Sequence, residues 1–372
     1  MPSIRAGLGL ALALLLAFPA LAQMPPPRAM LHSKFIDDCG PRPLPNELCR
    51  LPVAFEADEA EAHLKDGKDL AYWIEGQTLN IAARALADQA VLEGSLDEGM
   101  TPLSTRRPMW GAAYRLTAID RAILEVRLRG HPGAAFVYRG PNAPPEPPAN
   151  DPLAGRLERV DISSGALGPR QVQVYVPPGK APAAGWPVVI AAGIDDIGPY
   201  AAIADALIQQ KQLRPVAVVS LGAGEGDGQY LRRQDADAFS RHNMFVRREA
   251  LPLVEKRFHL AANPEQRLLL GIGAAGDWVL DTVARDPQMA AQAAAFSPPG
   301  LSEFPFRNRK LKLYLQAGSF EPPYAKGARS TCNLAGASFA ACRLDITNSG
   351  HASLIWQAEW AKVLKEAFPA KR

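Results

Sequence analysis

Two unlike halves are predicted: a small all-β domain in front, and behind it a mostly parallel α/β sheet clothed by helices on both faces. Three observations predict this. In 52–139, Trp110, Ala112, Tyr114 and Leu116 alternate with Gly111, Ala113, Arg115 and Thr117, and Leu124, Val126 and Leu128 alternate with Glu125, Arg127 and Arg129; Leu79, Ile81 and Ala83 repeat the pattern. A period of two buries one face of a strand and wets the other, and several such strands with turn signals between them make a small β-sandwich. Next, residues 140–155 carry Pro141, Pro144, Pro145, Pro147, Pro148 and Pro152. Neither helix nor sheet accepts proline at that density, so this stretch reads as a semi-rigid linker. From 156 to 372 the texture changes to continuous apolar runs separated by helical stretches, the signature of a parallel sheet covered on both sides.

The elements follow in order. Arg156–Ser163 and Gln171–Pro177 read as an antiparallel entry pair, Val188–Ala192 as the first buried strand, Tyr200–Gln210 as a helix and Val216–Leu221 as the next strand. Asp235–Arg257 is a long amphipathic stretch with a kink expected at Pro252. Strands are expected at Arg267–Gly271, Ala293–Phe296, Lys310–Ala317 and Cys342–Thr347, and helices at Ala275–Ala284, Tyr324–Cys332 and Ser353–Phe368.

Composition narrows the function. The chain has 372 residues, 48% of them hydrophobic, and a formal charge of +3. A nucleic-acid binder of this size shows a basic face; here the pairs Arg106-Arg107, Arg232-Arg233 and Arg247-Arg248 are short, interrupted and read as solvated surface. Arg5, the apolar run Leu8–Ala17 and the small-x-small site Ala20-Leu21-Ala22 form a signal peptide over 1–22, cut after Ala22. A periplasmic or secreted protein is therefore expected, with no membrane span left after cleavage. Residues 23–51 form a Pro-rich arm. Cys39, Cys49, Cys332 and Cys342 allow three pairings, of which the local one, Cys39 with Cys49 and Cys332 with Cys342, is the simplest in an oxidising compartment. There is no C-x-x-C and no H-x-x-x-H, so neither a metal nor a cofactor is expected.

In a parallel sheet the chemistry gathers at the carboxyl ends of the strands. After Arg267–Gly271 comes Ile272-Gly273-Ala274-Ala275-Gly276-Asp277-Trp278, a strand broken sharply into a helix. After Lys310–Ala317 comes Gly318-Ser319-Phe320-Glu321, and after the last strand Asn348-Ser349-Gly350-His351. A sharp turn, a carboxylate able to orient an imidazole, and a histidine in the loop before the last helix follow the chain order nucleophile, acid, base. Trp278 and Asp277 read as packing and capping residues, and His242 as structural. Ser220 and Ser297, also at strand ends, are the alternative hydroxyls.

At these residues the chain resembles the esterase D and enterochelin-esterase-like branch of the α/β-hydrolases. The family elbow, close to G-F-S-N-G-G-D-W-A-L, is matched by Gly271 to Leu280; the A-G-x-x-E by Ala317, Gly318 and Glu321; the G-H-D-x-x-x-W by Gly350, His351 and Trp356. The resemblance implies an α/β-hydrolase sheet over about Arg156–Phe368, preceded by an immunoglobulin-like sandwich. It implies Glu321 and His351 as triad members and an oxyanion hole built from the backbone at Ala274 and Ile194. The departures fall on the chemistry. The nucleophile serine aligns with Gly273, the next motif glycine with Ala275, the residue after the histidine is Ala352, and the usual H-D-G reads Gly193-Ile194-Asp195. Loss of the nucleophile removes nearly all triad catalysis, about 10⁶-fold in kcat. The expectation is a pseudoenzyme that keeps a pocket for a small ester-like ligand or partner. The alternative is an active carboxylic-ester hydrolase, for a siderophore or small acyl ester, using a non-standard nucleophile or an activated water.

Overall fold

The computed structural model describes residues 36–370 apart from 87, 105, 223–225, 301–304 and 339. The signal-like stretch 1–22 and residues 23–35 of the arm lie outside them.

The front half is built from β1 (Leu48–Leu51), β2 (Leu70–Glu75), β3 (Thr78–Arg84), β4 (Val91–Gly94), β5 (Glu98–Gly99), β6 (Thr101–Pro102), β7 (Met109–Leu116), β8 (Ile123–Leu128) and β9 (Ala135–Arg139). They form two antiparallel sheets, one in the order β1-β7-β3-β2 with β6 on β7, the other β5-β4-β8-β9. Leu79, Ile81, Tyr114 and Leu116 from the first meet Leu92, Leu124 and Val126 from the second in one buried core. One sequence expectation needs correcting. Period two predicts a wet outer face for β3 and β7, yet Ala82 and Met109 are buried there. The short helix α1 (Ala57–His63) and Phe55 cover that face, with Ala60 and Leu64 in a satellite cluster. Small and apolar residues at the supposedly wet positions accommodate this second layer.

The proline-rich stretch carries no helix or strand after β9 until β10, and it is tied down rather than free. Asn150, Ala154 and Gly155 all donate to the carboxylate of Asp205, as does the Tyr175 hydroxyl at 2.7 Å. Burial opposes the charge on Asp205, but these four bonds outweigh it and hold its pKa below the usual aspartate value.

The second half holds β10 (Arg156–Ser164), β11 (Gly168–Val176), β12 (Val188–Ala192), β13 (Ala217–Ser220), β14 (Arg267–Ile272), β15 (Gln292–Phe296), β16 (Lys312–Gly318) and β17 (Ala341–Thr347). Their order is β10-β11-β13-β12-β14-β15-β16-β17; β10, β11 and β13 pair antiparallel, and β12 to β17 run parallel. The sheet grows to one side through β13 and to the other through β14, so the crevice at the ends of β12 and β14 is its topological switch point, where ligands bind in open α/β sheets. Helices α2 (Gly198–Gln209) and α7 (Ser353–Ala367) cover one face, where Trp360 packs with Tyr200 and Leu270. The other face is covered by α3 (Ala236–Met244), α4 (Leu251–Phe258), α5 (Ala274–Arg285) and α6 (Pro322–Ala337), with Trp278 fully buried. A π-helical stretch over Phe245–Ala250 joins α3 to α4, and Pro252, where a kink was expected, lies directly after it in the first turn of α4.

Both disulfides are local. Cys39 joins Cys49, and Cys332 of α6 joins Cys342 of the edge strand β17. No helix among the described residues is long and apolar enough to cross a membrane.

Candidate functional site

The turn from β14 into α5 is set by glycine. Gly271 lies so close to the helix that an added Cβ would sit 2.2 Å from the Ala275 carbonyl oxygen. Gly273 caps α5 at φ 56° and ψ −129°, a conformation that strains any residue with a side chain. Space is not the constraint there, because a Cβ on Gly273 would meet nothing within 4 Å. Gly273 N–H donates to the Phe296 carbonyl at 2.9 Å, tying the turn to the end of β15. Ala275, in the place of the motif glycine, points its methyl at Gly193 after β12; a Cβ on Gly193 would be 2.7 Å from it. Elbow and loop thus fit together through an exchange of sizes.

That loop after β12 is held from below. Gln173 donates to the Asp195 carbonyl at 2.6 Å and accepts from the Ile197 N–H, while the Ser220 hydroxyl donates to the Ile194 carbonyl. The Ile194 and Ala274 N–H groups have no protein acceptor among the described residues. Ala274 is the first residue of α5, where the helix dipole favours negative charge.

Two strands further on, Glu321 and His351 meet. Glu321 is 1% exposed, and its Oε2 accepts from His351 Nδ1 at 2.7 Å. Its Oε1 accepts from the Ser297 hydroxyl at 2.5 Å and from the Gly318 N–H at 2.6 Å. Three donors on one buried carboxylate offset its desolvation. With the carboxylate accepting a hydrogen bond from Nδ1–H, the neutral imidazole keeps its lone pair on Nε2, the form a general base needs. Trp356 Nε1 donates to the Ser297 oxygen at 3.0 Å, and the His351 ring lies between Tyr324 and the edge of Trp356, centroids 5.1 and 4.7 Å away.

Ser297 and Ser220, the alternative hydroxyls, are both 0% exposed and both donate within the scaffold. Neither presents an oxygen to a ligand. Ser297 instead links the elbow side to the acid: the chain runs from Gly273 N–H to Phe296, then through Ser297 to Glu321 and His351. Its φ of 48° turns the hydroxyl toward Glu321. From the sequence Ser297 is only an alternative hydroxyl at a strand end, outside any elbow, and nothing local shows this linking role.

Nor does any local pattern show the front half's part in this site. The His351 loop is pressed against the sandwich. Ile123 N–H donates to the Asn348 carbonyl at 3.0 Å, the Ser95 and Ser349 hydroxyls lie 3.4 Å apart, and Ser353 donates to Glu125 at 2.7 Å. A Cβ on Gly350 would be 2.1 Å from the Ser95 carbonyl oxygen. Phe320, next to Glu321, is buried in the core of the sandwich. Gly94, Ser95 and Asp97 share with Glu321 and His351 the lining of a narrow recess.

Trp278 packs in the core and Asp277 accepts from Gly300 N–H at 3.1 Å. His242 sits 2% exposed among Tyr230, Phe245 and Trp278, with no hydrogen-bond partner on either ring nitrogen. Burial, reinforced by the charge of Arg170, depresses its pKa to about 4. No cluster of three His, Cys, Asp or Glu side chains able to hold a metal ion occurs among the described residues.

Comparison with known proteins places this geometry. Residues 163–368 match the family model for esterases, described as "Putative esterase". The fold is similar to that of the enterobactin esterase of Shigella flexneri, solved in the presence of enterobactin, at a TM-score of 0.62 and 13% identity over 82% of this chain and 97% of that one. The ferric enterobactin esterase of Salmonella typhimurium is similar at a TM-score of 0.61 and 14% identity, over 82% and 98%. Among curated proteins no match is found. The family match spans more than half of the chain and contains the elbow, Glu321 and His351, and the chain belongs to the esterase family of the α/β-hydrolase fold.

Proposed function

We propose that this is an exported esterase-like protein that binds an ester or related small acyl compound without forming an acyl-enzyme. The observation that carries the reading is Gly273: it stands at the elbow after β14, where the family's nucleophile belongs, and it has no atom to attack a carbonyl. Around it the rest of an esterase site persists. Glu321 orients His351, and the N–H groups of Ala274 and Ile194 are available to a developing or resident oxyanion. The N-terminal signal pattern and the two disulfides support export to the periplasm or beyond. In this reading the sandwich over 52–139 and the hydrolase over 156–372 are two domains joined by 140–155.

A second reading draws on the Glu321–His351 pair itself. A site that has lost its purpose has no need of a buried carboxylate with three donors on it. In that reading Nε2 of His351 takes a proton from a water in the space left open at Gly273, the water oxygen adds to the ester carbonyl, and His351 returns the proton to the alcohol oxygen as the C–O bond breaks, with no acyl-enzyme formed.

Turnover of a short-chain chromogenic ester separates the two. The first reading expects a silent wild type and a gain of activity in Gly273→Ser that His351→Ala removes. Wild-type turnover abolished by His351→Ala would sink it and establish the second.

A further inference from the structure

We propose that the cleft between the N-terminal arm and α6 is a binding site for a small hydroxylated carboxylate, separate from the esterase-like site. The cleft has a volume of about 520 Å³, inside the range of small-molecule sites, about 300–1,000 Å³. One wall is the turn Pro45-Asn46 inside the Cys39–Cys49 loop; the other is α6, pinned to β17 by Cys332–Cys342. Both walls are therefore covalently braced. The turn is braced further by Glu47, which accepts from the Leu44 N–H and pairs with Arg115 at 3.1 Å.

Charge identifies the occupant. Lys326 and Arg329 stand three apart on α6 and both line the cleft, and no carboxylate does. Neither forms an ion pair among the described residues, and α6 contains no Asp or Glu over its whole length. Some surface arginines are matched, Arg84 by Glu61, Arg107 by Asp58 and Arg129 by Glu93, and others, such as Arg42, Arg106 and Arg127, are exposed without an ion pair among the described residues; what sets Lys326 and Arg329 apart is that they line one cleft together. A guanidinium and an ammonium side by side without a counter-ion suit one carboxylate, held bidentate by the arginine. The remaining polar groups are neutral and of mixed sense. Among the described residues Asn46, Ser330 and Asn333 make no side-chain hydrogen bond, and Asn348 engages only its Oδ1, with Ser319 at 3.4 Å. Such groups both give and accept hydrogen bonds, as hydroxyls require. No aromatic ring lines the cleft, which disfavours a flat ligand, and two cations are too few for a polyanion.

Calorimetric titration of the full chain at low ionic strength tests this, with gluconate and glycerate as probes and sorbitol and inorganic phosphate as comparators. Saturable binding of gluconate or glycerate is expected, about tenfold or more tighter than either comparator. It should weaken by about tenfold in the Lys326→Ala/Arg329→Ala double variant and in Asn333→Asp, which keeps both cations but places a negative charge on the cleft face. The Lys310→Ala/Lys312→Ala variant, altered in a separate basic cleft around Asn263 and Gln288, should bind as the wild type does. Thermal unfolding of each variant confirms that it is folded. Absence of saturable binding by both probes overturns the proposal, as does phosphate binding as tightly as they do, or equal loss in the Lys310/Lys312 control. Because none of these residues belongs to the ester site, failure here leaves the reading of Gly273 standing.

Discussion

The two sides of the esterase-like site have been kept to different standards. On the side of β16 and β17, every polar atom of Glu321 is engaged, His351 is held by carboxylate, Tyr324 and Trp356, and the loop is clamped against the sandwich. On the side of β14 the turn is complete in its backbone, and Gly273 holds a conformation that strains any residue with a side chain, with nothing mounted on it. The difference teaches that the backbone of a sharp strand-to-helix turn and the side chain at its tip are separable. The turn survives because Gly271 and the Ala275–Gly193 contact are steric matters of strand, loop and helix packing, while the identity of residue 273 touches no packing at all.

That contrast can be broken in order of severity. Gly271→Ala should be the most damaging change, since a methyl 2.2 Å from a backbone oxygen forces strand and helix apart; a loss on the order of 4 kcal/mol or failure to fold is expected in urea unfolding. Glu321→Ala should follow, at about 3 kcal/mol, because it strands the Ser297 hydroxyl, the Gly318 N–H and His351 in a buried place.

The third concerns acid. His242 is neutral and buried, with a folded pKa near 4 against an ordinary 6.5. Its lowered pKa means the unfolded chain takes up the proton first. The stability is fully present above about pH 6.5 and is lost as pH falls toward 4, by up to about 3 kcal/mol. His242→Phe should flatten that part of the stability–pH curve, which denaturant titrations at pH 4.5 and 7.5 would read. The smallest effect is Gly273→Ser, about 1–2 kcal/mol of backbone strain with no steric clash. A larger cost, seen in the same unfolding measurement, would mean that the turn is not open above residue 273.

Much of this was legible beforehand, for identifiable reasons. Runs such as Val188–Ala192 and Ala293–Phe296 lie in the middle of a sheet covered on both sides, so every residue in them is apolar and the strand declares itself. Gly273, Glu321 and His351 stand out because each follows a strand, although β17, before His351, is a half-exposed edge strand carrying Arg343 and Asp345. What escaped depends on contacts between distant parts of the chain. Ser297 matters through partners 24 and 59 residues away. Ser95 and Glu125 reach across from the front half to residues that no local pattern could pair with them. The double burial of β3 and β7 shows in the strands only as the small and apolar residues Ala82, Met109 and Ala113 on the second face, which do not say what covers them.

The contact of Gly350 with Ser95 bears on how this protein can be divided. Residues 163–368 are the part that the family shares, and they would be the natural piece to transplant, shorten or fuse. Cut there, the piece would carry Phe320 into water without the core that receives it, and the loop bearing His351 would lose the wall it leans on. The shared portion is thus not a portable one in this protein: its histidine stands on ground that belongs to the other half.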